Sequence, residues 1–138
     1  MELVRQTVLD WIAVELAVGS QRAQVLHLEG AARAWKKGKD VIFRNAPQAV
    51  VIHAPIDGIT PEADAIIAGA WLEIAAAAAG YGACWCGYLQ FALAAHPPVG
   101  ALLGIPDGHK GYAALLLGHP AVHPVAIPPR DLPDVRFF

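Results

Sequence analysis

The stretch from Ala63 to Ala79 constrains this chain more than any other, because it is long enough for more than four helical turns and carries only two charges, Asp64 and Glu73. Ala75 to Ala79 is unbroken alanine, the residue that enters a helix most readily. The start is marked too. Thr60 stands at an N-cap position and Pro61 follows where a missing N–H is harmless. Glu62 and Asp64 place negative charge in the first turn, where the helix dipole favours it. A helix that is apolar nearly all round has to be covered on most sides. Its alanines and Gly69 leave room for a second backbone to approach. The expectation is a central helix packed on its own domain and on a partner subunit.

Composition bears on what does the covering. In 138 residues, read as a single domain, 56 % are hydrophobic and 16 % charged, which is more apolar than a soluble monomer of this size needs. Such a chain enters a membrane or buries its surface in an oligomer. The longest apolar run is mostly alanine, a weak driver of insertion, and holds two carboxylates, so a homodimer without membrane insertion is expected. A net charge of −2 and a pI near 6.3 give no basic face for nucleic acid. Lys36-Lys37-Gly38-Lys39 reads as a helix end. Glu2, Arg5 and Asp10 interrupt any signal-peptide pattern, and two cysteines one residue apart make no disulfide framework. Cytoplasmic localisation is the economical reading.

In chain order, residues 1–40 read as a helix pair. Leu3, Val4, Val8, Trp11, Ile12, Glu15 and Leu16 form a helical stripe that Gly19-Ser20 ends, and Gln21 to Trp35 reads as a second helix. His27 reads as a solvated or packed residue. Residues 41–120 read as the sheet and central helix. Ala49 to His53 is a strand covered on both faces, and Gly80-Tyr81-Gly82 stops the long helix. Ala83 to Gly87 is a second strand, Leu89 to Ala95 and Val99 to Leu103 are short helices, and Tyr112 to Leu117 is a third strand. Residues 121–138 hold Pro124, Pro128, Pro129 and Pro133, a density that predicts an extended arm.

The order of five motifs is specific where each alone is weak. They are Arg44-Asn45-Ala46-Pro47, Gly82-Ala83-Cys84-Trp85-Cys86-Gly87, Leu103-Gly104-Ile105-Pro106-Asp107-Gly108-His109, Gly118-His119-Pro120 and Ile127-Pro128-Pro129-Arg130. From about residue 10 onward the chain resembles the C-terminal part of the FMN-dependent nitroreductase family, most nearly members fused to a ferredoxin-type iron–sulfur module. The resemblance implies an α+β fold, a nitroreductase-like α-β-α sandwich, and a homodimer with FMN at the subunit interface. It also implies reduction of nitroaromatics, quinones or similar acceptors by NAD(P)H or a ferredoxin-type donor. Carried over by position, Cys84, Trp85, Cys86 and Gly87 match the loop whose backbone approaches the flavin ring, and Arg130 matches a basic residue that contacts the FMN phosphate. No side chain is an evident catalytic acid or base. Family members begin with an Arg-Arg-Ser-x-Arg-type segment that this sequence lacks, so an N-terminally truncated sandwich is expected.

Three other readings stay open. One is a flavin-free or truncated relative acting as a dimeric binding or structural module. Another is a metal site, since Cys84 and Cys86 share a strand face and His119 and His123 supply imidazoles, although Cys-x-Cys is tighter than usual zinc spacing. The third is a Cys/His hydrolase, which is disfavoured because neither cysteine reads as standing at a helix N-terminus. Trp11, Trp35 and Trp71 read as core or interface, and Trp85 as the tryptophan nearest a ring-shaped ligand.

Overall fold

Ala113, Ala114, Leu115 and Leu116 are all buried, and they form the middle of a three-stranded antiparallel sheet. This is seen in a computed structural model that describes residues 1–122, 125–126 and 129–137. The elements are α1 (Glu2–Ala17), α2 (Gln21–Val25), α3 (Leu28–Lys36), β1 (Gln48–Pro55), α4 (Pro61–Ala78), β2 (Gly82–Trp85), α5 (Gly87–Ala95), α6 (Pro97–Leu102) and β3 (His109–Gly118). The strand order is β1-β3-β2, with Val50 and Trp85 both opposite Leu115 and with Cys84 opposite Leu116.

Alternation along β3 sorts its side chains between two layers. Leu115 reaches α4, where its Cδ1 lies close to Gly69. Ala114 and Leu116 belong to the opposite core, with Val8, Trp11 and Ile12 of α1, Leu28 of α3, Leu89 and Ala92 of α5 and Val99 of α6. The result is helix, sheet, helix: the α+β sandwich that the resemblance implies.

The sequence placed a strand with both faces covered at Ala49 to His53. That role belongs to β3, whereas β1 is an edge strand of this sheet and its residues are half-buried or exposed. Both stretches are apolar, and strand rank is decided by pairing rather than by composition.

The helix pair of residues 1–40 proves to be three helices. Gln21 to Trp35 breaks at His27, which adopts a left-handed conformation at φ 51°. Ala23 and Leu28 are both buried, yet five residues apart they would face different directions on one continuous helix. The break brings both onto the core. α2 is capped by Ser20, whose Oγ accepts from the Ala23 N–H at 3.0 Å. The same hydroxyl donates to Glu15, a buried carboxylate that also accepts from Trp11 Nε1 at 3.0 Å and Arg22 at 2.7 Å.

The long helix forms where expected and ends at Gly80, whose φ of 81° few other residues adopt comfortably. Thr60 occupies the N-cap position, but its hydroxyl donates to the Asp64 carboxylate instead of accepting a backbone N–H. Only Ala65, Gly69 and Ala76 are buried, and Ile67, Trp71 and Ile74 stand open at 57 %, 68 % and 61 % exposure. One side of α4 is therefore covered by the sheet, and the other is an apolar face. Among the described residues no helix is long and apolar enough to cross a membrane. The described residues of the tail after Gly118 form neither helix nor strand.

Gly69 admits a side chain rather than a second backbone. A Cβ there would stand 2.6 Å from Cη2 of Trp85. The indole is fixed in that position because its Nε1 donates to Glu73 Oε2 at 2.9 Å, one helical turn further along α4. Gly69→Ala is expected to lower stability by about 1–3 kcal/mol through overpacking, outweighing the gain of about 1 kcal/mol from better helix propensity. Urea unfolding checks this; an alanine variant at least as stable as the parent would show that the ring moves aside freely.

Candidate functional site

β2 runs into α5 through Cys86 alone, and a hollow at this junction brings together several of the predicted site residues. Cys86 is the N-cap of α5 and donates its own N–H to Ala114 O of β3 at 2.8 Å. Its Sγ donates to Ile42 O at 3.3 Å, which ties α5 to the segment before β1. Burial pushes the Cys86 thiol up, and the Leu89 N–H pulls only partly the other way. A thiol held neutral in this way is a structural cysteine rather than a nucleophile. The expectation that neither cysteine stands at a helix N-terminus is thus corrected in position, but the chemistry it disfavoured gains nothing.

Gly87 and Tyr88 open α5, where a helix leaves its first N–H groups without intrahelical acceptors. Among the described residues, nothing beyond its chain neighbours and its own helix backbone lies within 4 Å of where a Cβ on Gly87 would stand, and its φ is not in the left-handed region. Neither packing nor backbone conformation demands glycine at this position. A hollow of about 190 Å³ adjoins it, bordered by Ile42, Arg44, Trp85, Cys86, Gly87, Tyr88, Phe91 and Leu116 among others.

The facing wall is built by one carboxylate. Asp40 Oδ1 accepts from the N–H groups of Ile42 at 3.1 Å and Phe43 at 2.9 Å, and Oδ2 accepts from Asn45 at 3.3 Å and from Arg5 Nε at 3.1 Å. Arg5 also lies over the rings of Trp35 and Phe43, so α1, α3 and this loop are gathered at one point. Burial alone would raise the Asp40 carboxyl, but the Phe43 and Asn45 N–H groups, the Arg5 charge and the Ile42 N–H together hold it below its ordinary value. The loop carries Arg44 and Asn45 at φ 52° and 57°. Asparagine tolerates that region, whereas for arginine it is strained.

Of the residues singled out in the sequence, Trp85, Cys86 and Gly87 meet at the hollow and Cys84 does not border it. Cys84 is half-buried one residue back on β2, packed against the same core as Cys86. Trp85, expected as the tryptophan nearest a ring-shaped ligand, borders the hollow, with its indole held against α4. Arg130 is exposed in the tail and does not border the hollow. Ile127 and Pro128 of the same motif, and His123 of the imidazole pair, lie outside the described residues. Arg44 appeared only as part of a motif. Its place at the hollow follows from the Asp40 turn, for which the signal is an aspartate followed by short-range backbone donors.

Comparison with known proteins gives the family. The model of the nitroreductase family matches residues 2–119, and the chain belongs to that family. Among solved structures, a nitroreductase with bound FMN from Bacteroides fragilis NCTC 9343 has a TM-score of 0.74 at 18 % identity, covering 99 % of this chain and 71 % of that one. A nitroreductase with bound FMN from Desulfitobacterium hafniense DCB-2 has a TM-score of 0.63 at 22 % identity, covering 97 % and 68 %. Both share the fold. No curated protein matched the sequence.

The Asp40 turn yields a pH signature. A carboxyl with a depressed folded-state pKa contributes stability that is present above its unfolded value, about 3.9, and is lost as pH falls through the folded value. Asp40→Ala is expected to lose about 2 kcal/mol or more at pH 7 from the unpaired N–H groups and Arg5. The gap between variant and parent should narrow below about pH 4. Denaturant unfolding from pH 7 to pH 2 measures it, and a gap independent of pH would contradict the assignment.

Proposed function

We propose that this chain is an FMN-dependent oxidoreductase acting as a cytoplasmic homodimer, with the flavin ring lying against the start of α5. The observation that carries this reading is Gly87, a glycine that its own chain does not require, bordering a hollow at the head of a helix. A backbone kept bare there leaves room for a flat ligand to approach the N–H groups of Gly87 and Tyr88, and Cys84 to Gly87 is the segment assigned to that contact.

The residues present fit part of a flavin. A hollow of about 190 Å³ is smaller than the roughly 300–1,000 Å³ of a small-molecule site, so this surface supplies one wall. The exposed apolar side chains Ile67, Trp71 and Ile74 support a second copy of the chain as the source of another. Arg44 provides a cation at the edge of the hollow, and Arg130 is assigned to the phosphate, since guanidinium suits oxyanions geometrically. Bound FMN would supply the hydride chemistry between NAD(P)H, or a ferredoxin-type donor, and a nitroaromatic, quinone or similar acceptor. The protein's part is to hold the ring with one face open and keep Cys86 protonated beside it.

The test is the absorbance spectrum of purified protein after incubation with excess FMN and removal of unbound flavin. Retained flavin bands near one per chain are expected. Gly87→Ala should weaken them markedly while leaving the unfolding midpoint unchanged, because among the described residues nothing beyond its own chain neighbours and helix backbone lies within 4 Å of the added Cβ. Arg44→Gly should weaken FMN about tenfold or more, as loss of a charge-assisted bond does, without loss of stability because the strained φ is relieved. A colourless protein that takes up no FMN would overturn the oxidoreductase reading and favour a flavin-free dimeric module.

A further inference from the structure

We propose that His53 and His109 form a binding site for a divalent first-row transition-metal ion, copper(II) or nickel(II), at the end of the sheet remote from the hollow. The two rings come from different strands and meet through their Nδ1 atoms, 2.9 Å apart, with centroids 5.0 Å apart and planes inclined at 64°.

The backbone arranges this meeting. The register of β1 on β3 shifts between Ile52 and His53, so that Ile52 lies opposite Ala113 but His53 lies opposite Gly111. A bulge of this kind re-aims the side chain that follows it. Gly111 presents no side chain, which leaves the diagonal neighbour two residues away, His109, as the group within reach of His53. The pair is fixed at its far side by Pro55 opposite His109 and by Ile56 N–H donating to Gly108 O at 2.8 Å. His109 is seven residues from Leu116, the β3 residue at the hollow, or about 23 Å along an extended strand.

The separation is short enough for one ion to bridge both rings. Two imidazole nitrogens bound at about 2.0–2.1 Å stand about 2.9 Å apart when they subtend 90° at the metal, and about 3.3–3.4 Å apart at a tetrahedral angle. The observed 2.9 Å is a hydrogen-bond distance between the rings, and it is also the span between adjacent positions of the tetragonal or octahedral ions that copper(II) and nickel(II) form. In the metal-free chain one ring donates its Nδ1–H and the other accepts, and an ion taken up at both Nδ1 atoms would displace that proton and leave each ring protonated on Nε2. Among the described residues no third His, Cys, Asp or Glu joins the pair, so solvent or an exogenous ligand would complete the coordination sphere. His53 is exposed and His109 half-buried, which leaves the site open to an incoming ion.

The test is calorimetric titration of tag-free protein with copper(II) and nickel(II) chlorides in a non-coordinating buffer at neutral pH, with electron paramagnetic resonance of the copper form. One ion per chain is expected, with two nitrogen ligands and copper bound more tightly than nickel. His53→Ala and His109→Ala should each weaken binding at least tenfold, whereas His96→Ala should leave it unchanged. Both substituted rings are at the surface, and circular dichroism will verify that the variants fold. Failure to bind at 100-fold excess of either ion, or binding that neither substitution weakens, would overturn the site. None of these readouts depends on flavin.

Discussion

The indole of Trp85 laid across Gly69 holds the two layers of this molecule in register. Trp85 ends β2, pairs opposite Leu115 of the central strand, and is fixed to α4 by its hydrogen bond to Glu73. The next residue, Cys86, turns inward to bond Ala114 and Ile42. The last residue of one short strand and the residue after it thus anchor opposite layers, and the chain that follows has little freedom in where it begins α5. The start of that helix, and with it Gly87, is positioned by these two anchors. A hydrogen bond from a half-buried indole to a carboxylate is worth about 1.5–3 kcal/mol, which is large beside the net stability of a domain this size.

The second constraint is electrostatic. Asp40 gathers three backbone N–H groups and the Arg5 guanidinium, and so closes the turn that carries Arg44 to the hollow. Residues 41–45 form no helix or strand, so without that carboxylate their buried donors would lack acceptors. Glu15 serves similarly between α1 and α2, where the Ser20 hydroxyl, acting against burial, lowers its pKa together with Arg22 and Trp11. The two buried carboxylates stitch the helical layer to itself and to the wall of the hollow.

Much of this was legible in the residues. The long helix was marked by its alanines, its proline and its terminal glycine, all local signals. The third strand was marked by an apolar run, and the family by the order of short motifs. What the sequence did not show depends on contacts between distant positions. The break at His27 is forced by two buried residues that one helix cannot aim together. The ranking of β1 below β3 is decided by which strand has two neighbours. Gly69 reads as small in sequence, but only the fold shows that Trp85 fills the space. Arg44 reaches the hollow through a turn closed by Asp40, which the sequence alone did not single out. The roles proposed for Cys84 to Gly87 and Arg130 came from resemblance, and the geometry adds the bare backbone at Gly87 and the separation of Cys84 from the hollow.

The proposed flavin site requires more surface than one chain presents, and the open apolar face of α4 supports a second copy as its source. Sedimentation velocity on FMN-loaded protein, followed at once in the protein and flavin absorbance bands, tests that requirement most directly. The expected result is a single yellow boundary with the mass of two chains, and flavin that is released when the dimer is diluted into monomers. Flavin sedimenting at the mass of one chain, or a dimer that carries none, would contradict a site shared between subunits.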